Sequence, residues 1–366
     1  MKLAIPEHIR ALVPYPPGKP LEELEREYGI TGSIKMASNE NSLGPSPKAV
    51  AAIGQALANL HRYPDGSCYY LAQAVARHLK VRPEQIVFGN GSDEIISLLA
   101  AALVQPGDEV ISSAPSFLVY PKVAQAQGGI NRVVPLSGLR HDLAAIYDQI
   151  TDRTRLIFLD NPNNPTGTMF GRQDFERFLA HVPEGVVTVL DEAYIDFADP
   201  GQRLDIRDYL DAARPVAGLR TFSKAYGLAG LRVGYGLMPP ALADCLHRVR
   251  GPFNVNSLAQ IGALAALADT EHYQRTLAMT SEGIAWLHEQ LPSLGLTPLP
   301  TETNFFLVDL GRDGKAFYQV MLKKGVIVRP MNAYGLPSYI RITVGTRAEN
   351  ERLLKAMADT LAELGK

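Results

Sequence analysis

Leu156-Ile157-Phe158-Leu159-Asp160-Asn161-Pro162-Asn163-Asn164-Pro165-Thr166-Gly167 decides the architecture: an unbroken apolar run stops at an acid and a loop of Asn, Pro and Gly. A short run with no polar alternation reads as a strand buried on both faces, as in a parallel sheet. The pattern recurs. Val186–Leu190 runs into Asp191-Glu192-Ala193-Tyr194, and Val216–Phe222 runs into Ser223-Lys224-Ala225-Tyr226-Gly227. Gln85–Phe88 runs into Gly89-Asn90-Gly91-Ser92-Asp93-Glu94, and Val233–Leu237 is a further strand candidate. Between them lie amphipathic helices, one with Ile95, Leu98, Leu99, Ala102 and Leu103 on a face, another with Phe175, Phe178, Leu179 and Val182. Strands alternating with such helices predict an α/β fold, a mostly parallel central sheet covered by helices on both faces.

Outward from this core the texture changes. Residues 1–44 read as an irregular arm, because Pro14-Tyr15-Pro16-Pro17-Gly18 cannot be helical, and as part of a smaller domain. Residues 45–250 form the large domain. Residues 251–366 form a smaller C-terminal α/β domain, with long helices over Val255–Ala268 and on to Leu291. Strands follow at Asn304–Leu310, Gly325–Val328 and Tyr339–Val344, then a closing helix from Arg347.

The 366 residues carry 36 Lys+Arg against 38 Asp+Glu, with 46% apolar and 20% charged residues. That balance excludes a disordered or collagen-like chain and argues against a nucleic-acid binder, which would show a basic excess. Small molecules are the expected partners. Cys68 and Cys245 stand far apart, so neither a disulfide framework nor a zinc site is expected; both read as small buried hydrophobes. The eight histidines form no ligand pair, so no metal is expected, and most read as solvated or capping residues. No apolar stretch is long enough to span a bilayer, and Pro6-Glu7 ends the first apolar run too early for a signal peptide. The expected compartment is the cytoplasm.

In open parallel sheets ligands bind beyond the carboxyl ends of the strands. Gly89–Glu94 offers small residues before a helix whose first N–H groups can hold a phosphate; the alternative is a helix cap, Ser92 or Asp93, with no ligand. Thr221, Ser223 and Arg232 surround Lys224 with hydroxyls and a guanidinium, fit to hold a phosphate beside an amine capable of a Schiff base. Asp191 ends another strand, where an aspartate can keep a pyridine nitrogen protonated; Asn164 and Tyr194 can donate to a phenolic oxygen.

Asn161–Gly167, Asp191–Tyr194 and Ser223-Lys224 with Arg232 resemble the signature of fold-type I pyridoxal-phosphate aminotransferases. Thr221–Arg232, Arg329–Pro337, Ser38–Asn41, Tyr63-Pro64-Asp65 and Arg341–Gly345 resemble the histidinol-phosphate aminotransferases within that group. The resemblance runs from about Tyr15 to Arg347. It implies pyridoxal 5'-phosphate as cofactor, and exchange of an amino group between L-histidinol phosphate and 2-oxoglutarate in histidine biosynthesis. It further implies that Lys224 binds the cofactor covalently and shuttles a proton, that Asp191 pairs with the ring nitrogen, and that Asn164 and Tyr194 meet the phenolic oxygen. Ser92, Asp93 (by its backbone), Thr221, Ser223 and Arg232 would hold the phosphate, and Phe117 would stack on the ring where many members have Tyr. Tyr63 would reach in from a partner subunit, giving a homodimer with composite sites. Tyr15, Asn164, Arg329 and Arg341 would bind substrate, Arg341 as a fork shared by carboxylate and phosphate. The Asn164–Pro165 bond is expected to be cis.

Four other readings share parts of this pattern: aromatic amino acid transamination, a phosphothreonine-type decarboxylase, a non-catalytic pyridoxal-phosphate sensor and a nicotinamide dehydrogenase. The sensor would bring a DNA-binding extension, which is not visible. The dehydrogenase lacks its third glycine, since Glu94 stands there, and leaves the Lys224 constellation unexplained.

Overall fold

The computed structural model describes residues 3–14, 18–212 and 214–365. Strands in chain order are β1 (Ile34–Lys35), β2 (Ile86–Gly89), β3 (Glu109–Ala114), β4 (Ile130–Pro135), β5 (Thr154–Asp160), β6 (Val187–Asp191), β7 (Val216–Thr221) and β8 (Gly234–Leu237). After them come β9 (Phe305–Asp309), β10 (Val326–Ile327), β11 (Arg329–Pro330) and β12 (Tyr339–Thr343). The central sheet has seven strands in the order β2-β8-β7-β6-β5-β3-β4, and within it only β8 runs antiparallel to its neighbours.

The pleat explains why the deciding stretch is apolar throughout. Ile157 and Leu159 enter one core layer, with Phe175 and Phe178 of the helix Arg172–His181, while Leu156 and Phe158 enter the opposite layer with Ile95 and Leu99. Successive residues face opposite sides, and both sides are buried, so no position is left for a polar residue until the strand ends. Each such side chain contributes roughly 1.5–3 kcal/mol by leaving water.

The strands read from sequence are present within a residue or two. Two strands of the main sheet were missed, β3 and β4, and so were the two-residue strands β1 and β11 outside it. β3 opens on Glu109, buried with Arg132 and Arg153 as ion-pair partners, and carries two serines; β4 lies at the sheet edge with exposed positions. The front of the chain is also less irregular than expected, with helices at Glu7–Arg10 and Leu21–Tyr28 before β1. The second sets Leu21, Leu24 and Tyr28 on one face at helical spacing, a signal that the sequence carries and that the reading of an irregular arm passed over.

Beyond the main sheet, β12 pairs antiparallel with both β11 and β9, and β1 pairs parallel with β10. The closing helix Arg347–Glu363 starts on a capping box, Thr346 with Glu349, and seals a core containing Phe306, Ile340, Leu353 and Met357. The hydrophobic cores do not divide at Gly251. Val255, Ala259, Ala263 and Ala266 pack into the core of the main sheet, whereas Leu287 belongs to the C-terminal core. We therefore propose that the division between the two units falls inside the helix Thr270–Gln290.

Cys68 is buried as expected, but Cys245 is exposed. His141 and His272 are buried rather than solvated. Among the described residues the cis bonds are Ala114–Pro115 and Asn161–Pro162; Asn164–Pro165 is not cis, so the expectation is corrected to a bond three residues earlier in the same loop. Among the described residues no helix is long and apolar enough to cross a membrane, and no group of three or more His, Cys, Asp or Glu is placed to hold a metal ion.

Candidate active site

The carboxyl ends of β2, β5, β6 and β7 open together on a cavity of about 580 Å³. Its walls include Ser92, Asp93, Phe117, Asn164, Asp191, Tyr194, Thr221, Ser223, Lys224, Arg232, Arg329 and Arg341, twelve of the residues singled out above. Tyr15 lies outside the described residues. Tyr63 is not in the wall: it is 83% exposed, its ring stacked on Phe253 with centroids 4.8 Å apart.

One end of the cavity is built for an anion. Gly91 has φ +78°, and a Cβ there would collide with the Arg232 guanidinium, so the loop passes close beneath that side chain. The helix Ser92–Leu103 starts straight after it, with Gly91 at the cap position and no side-chain cap. The capping alternative is thereby answered: neither Ser92 nor Asp93 caps, and the first N–H groups of the helix are left for a ligand. Arg232, itself in the left-handed region at φ 57°, approaches Asp93 at 3.4 Å and donates to the Ala229 carbonyl. Ser223 N–H donates to Thr221 Oγ1, which bends the chain so that Lys224 follows at the mouth of the cradle.

Lys224 Nζ donates to the Ser38 carbonyl at 3.3 Å and lies 5.7 Å from the centre of the Tyr194 ring. Burial, helped by the nearby Arg341 charge, pulls its pKa down to about 8. A lysine so placed is a nucleophile and proton carrier near neutral pH. Tyr194 accepts from Asn39 Nδ2 at 2.8 Å, and burial pushes its phenol up.

The opposite end is acidic and closed. Asp191, 5% exposed, accepts from Tyr120 Oη at 2.9 Å and from Ala193 N–H at 3.1 Å. Burial, reinforced by the charge of Asp160, pushes the Asp191 carboxyl up to about 7. Tyr120 is fully buried, stacked on Phe158 at 4.6 Å and met edge-on by Phe117. A buried acid held by two donors at the wall of a cavity is suited to pair with a cationic ring N–H.

Arg329 and Arg341 sit directly opposite each other in the β11–β12 register, and both reach the cavity. Like charges in facing positions repel unless an anion lies between them. Arg341 is 6% exposed, spans Asn164 Oδ1 and the Ala37 carbonyl, and lies 4.9 Å over the Phe305 ring. Its Nε has no partner, and among the described residues no carboxylate lies within 4.0 Å of it. A buried guanidinium that lacks an acid is costly on its own and binds an incoming one tightly.

Three wall residues escaped the sequence reading. Tyr120 stands one helical turn after Phe117, which it meets edge-on, so its place beside that aromatic was a usable signal. Asn39 lies inside Ser38–Asn41, quoted as a motif but given no role; it has φ 54° and bridges Tyr194 and Thr343. Asp160 was read only as a strand end, and its partners come from segments that the sequence does not connect.

The pattern of the family described as "Aminotransferase class I and II" matches residues 31–357. Over its full length the chain is 55% identical to the histidinol-phosphate aminotransferase of Desulfotalea psychrophila, covering 97% of that protein. It is 48% identical to the histidinol-phosphate aminotransferase of Moorella thermoacetica, over 97% of this chain and 92% of that one. The structure of histidinol-phosphate aminotransferase from Sinorhizobium meliloti in complex with pyridoxal-5'-phosphate superposes with a TM-score of 0.92 at 30% identity, covering 100% of this chain and 99% of that one. With a cradle for an anion, a tuned lysine and a buried acid gathered at the strand ends, the chain belongs to the class I and II aminotransferases, among the histidinol-phosphate aminotransferases.

Proposed function

We propose that the protein is a pyridoxal-phosphate-dependent transaminase exchanging an amino group between L-histidinol phosphate and 2-oxoglutarate. The observation that supports this most is that one cavity is lined by Lys224, Asp191 and the two facing arginines. The residues fit the cofactor. The uncapped helix start and Arg232 would hold its phosphate with Thr221 and Ser223, Lys224 would take its aldehyde, and Asp191 would pair with its ring nitrogen. Phe117 supplies a stacking face without a hydroxyl. When bound, the cofactor supplies an electron sink for the charge that develops at Cα of the amino donor.

The chain's own groups do the rest. Lys224 Nζ carries the proton to and from Cα, helped by a pKa near 8 that lets it exist in both forms at working pH. Asp191 would hold a proton at the ring nitrogen, with Tyr120 Oη donating to its carboxylate and fixing its orientation. Asn164 and Tyr194 would steady the phenolic oxygen. Arg341 would grip the glutamate carboxylate and the histidinol-phosphate phosphate in turn, with Arg329 and Tyr15 adding contacts to the phosphate.

The reading includes a homodimer with composite sites, in the cytoplasm. Exposed apolar side chains crowd residues 50–70 and the neighbouring Phe253: Leu57, Leu60, Tyr63, Tyr69 and Tyr70 are all more than half exposed. Such a patch marks a protein interface, and two-fold pairing is the commonest closure. Tyr63 would then serve the partner's phosphate cradle. Single-turnover absorbance of the loaded enzyme tests the substrate: histidinol phosphate is expected to convert it far faster than phenylalanine or tyrosine. Equal or faster conversion by the aromatic amino acids would replace the proposal with aromatic transamination. Ultracentrifugation tests the dimer, and an active monomer would refute it.

A further inference from the structure

The last residue of β5, Asp160, lies across the strand pair from Asp191, in register with it, and lines the same cavity. Its side chain is 4% exposed, yet it is held by four donors from three segments. Oδ1 accepts from Ser116 Oγ at 2.7 Å, His141 Nε2 at 3.1 Å and Asn163 Nδ2 at 3.1 Å, while Oδ2 accepts from the Asn164 backbone N–H at 2.9 Å. His141 is itself fixed, since its Nδ1 meets Ser113 Oγ at 2.8 Å and its ring meets Phe170 edge-on. Asp191, by contrast, has two donors. Four donors fix the Asp160 carboxylate in place, whereas Asp191, with two donors and its carboxyl pushed up by burial and by the neighbouring Asp160, is ready to share a proton.

Two consequences follow for the cavity. Asp160 fixes the peptide of Asn164, whose side chain touches Arg341, so the loop that meets both cofactor and substrate hangs from this carboxylate. Asp160 also sets a second carboxylate in register beside Asp191, which favours a positive group at the acidic end of the cavity. A carboxylate needed only to tie down the loop could be replaced by neutral acceptors, at less desolvation cost.

We propose that Asp160, held by His141, Ser116 and Asn163, is a positioning residue that orients Asn164 and whose charge helps keep the cofactor's ring nitrogen protonated against Asp191. The inference rests on the pyridoxal-phosphate reading above.

The test uses the loaded full-length enzyme reconstituted with pyridoxal phosphate labelled at the ring nitrogen, followed by nitrogen NMR, together with cofactor dissociation measured by fluorescence. In Asp160→Asn the ring-nitrogen signal is expected to move toward its unprotonated position, and cofactor retention to weaken roughly tenfold, the equivalent of one pKa unit. Ser116→Ala keeps the charge and the Asn164 bond, so its signal is expected to stay with wild type. A wild-type signal in Asp160→Asn, or an equal shift in both variants, overturns the proposal, because packing alone would then account for the network. Should Asp160→Asn not fold, the double change Ser116→Ala, His141→Leu removes two of the four donors. Cofactor retention is then expected to weaken several-fold, because the loosened carboxylate holds the Asn164 peptide and faces Asp191 less firmly; wild-type retention overturns the inference. A wild-type protein that binds no pyridoxal phosphate refutes the cofactor reading instead, and the two failures are told apart.

Discussion

Replacing Asp191 by Asn in protein stripped of its cofactor is expected to change stability in a pH-dependent way. The folded carboxyl has its pKa raised from 3.8 to about 7. A raised carboxyl binds its proton more tightly folded than unfolded, so its contribution is most favourable below about pH 4. That contribution is lost as pH rises toward 7 and is level beyond. At pH 8 the burial of the charge costs the wild type about 4 kcal/mol, three pKa units at about 1.4 kcal/mol each. At pH 5 only the unfolded chain is ionised and the cost is about 1.7 kcal/mol. Asn does not titrate, so the stability gap between variant and wild type should shift in favour of the variant by about 2–3 kcal/mol from pH 5 to pH 8. For a chain of this length that is a relative Tm change of about 3 °C. Scanning calorimetry of both stripped proteins at the two pH values reads it directly. The same variant should retain the cofactor poorly. A gap in Tm that is equal at pH 5 and pH 8 would refute the account of Asp191 as a strained acid awaiting a cation.

Lys224→Ala should abolish transamination while leaving weakened, non-covalent cofactor retention through Asp191 and the phosphate cradle; normal turnover would refute the assignment. Tyr120→Phe keeps the buried stack on Phe158 but removes one donor from Asp191, and should weaken cofactor binding by roughly 1–3 kcal/mol in a titration, with Tm little changed. Arg341→Ala should slow both half-reactions in stopped-flow absorbance by about 30-fold or more in kcat/KM, and Arg329→Ala should harm the histidinol-phosphate half more; an intact glutamate half in Arg341→Ala would exclude the shared anchor. Arg220 joins the buried acids Glu192 and Asp205 at 2.7 and 3.0 Å, so Arg220→Ala should cost roughly 3–5 kcal/mol in urea denaturation, and an unchanged midpoint would contradict its role.

The legible parts of this molecule are those where one physical demand governs a short stretch. β5, β6 and β7 are buried on both faces, so apolar runs announce them, and their chemistry begins where the runs end, at Asp160, Asp191 and Thr221. β3 and β4 were hidden because they answer to distant residues: Glu109 is tolerable in a buried strand only beside Arg132 and Arg153. The same holds in the cavity. Lys224 and Arg232 stand out by their local company, whereas Asn39 acquires meaning only from Tyr194 and Thr343, and Asp160 from Ser116 and His141. The boundary at Gly251 misled because the helix Ser257–Leu267 follows a change in texture yet returns to the first core.

Asn39 also sets an order of assembly. Its backbone N–H bonds to Thr343 Oγ1, a residue 304 positions later in the chain. At translation rates of about 5–20 residues per second, the front segment waits roughly 15–60 s for that partner to be synthesised. During the wait Met36 and Ala37, buried in the finished protein, have no core to enter. The strand ends proposed to hold the cofactor, all before Arg250, can meanwhile come together. A growing chain should therefore acquire its grip on the cofactor before its grip on substrate. Ribosome-stalled chains ending on either side of Thr343 would show this as a change in protease resistance of the front segment, and equal resistance in both would refute it.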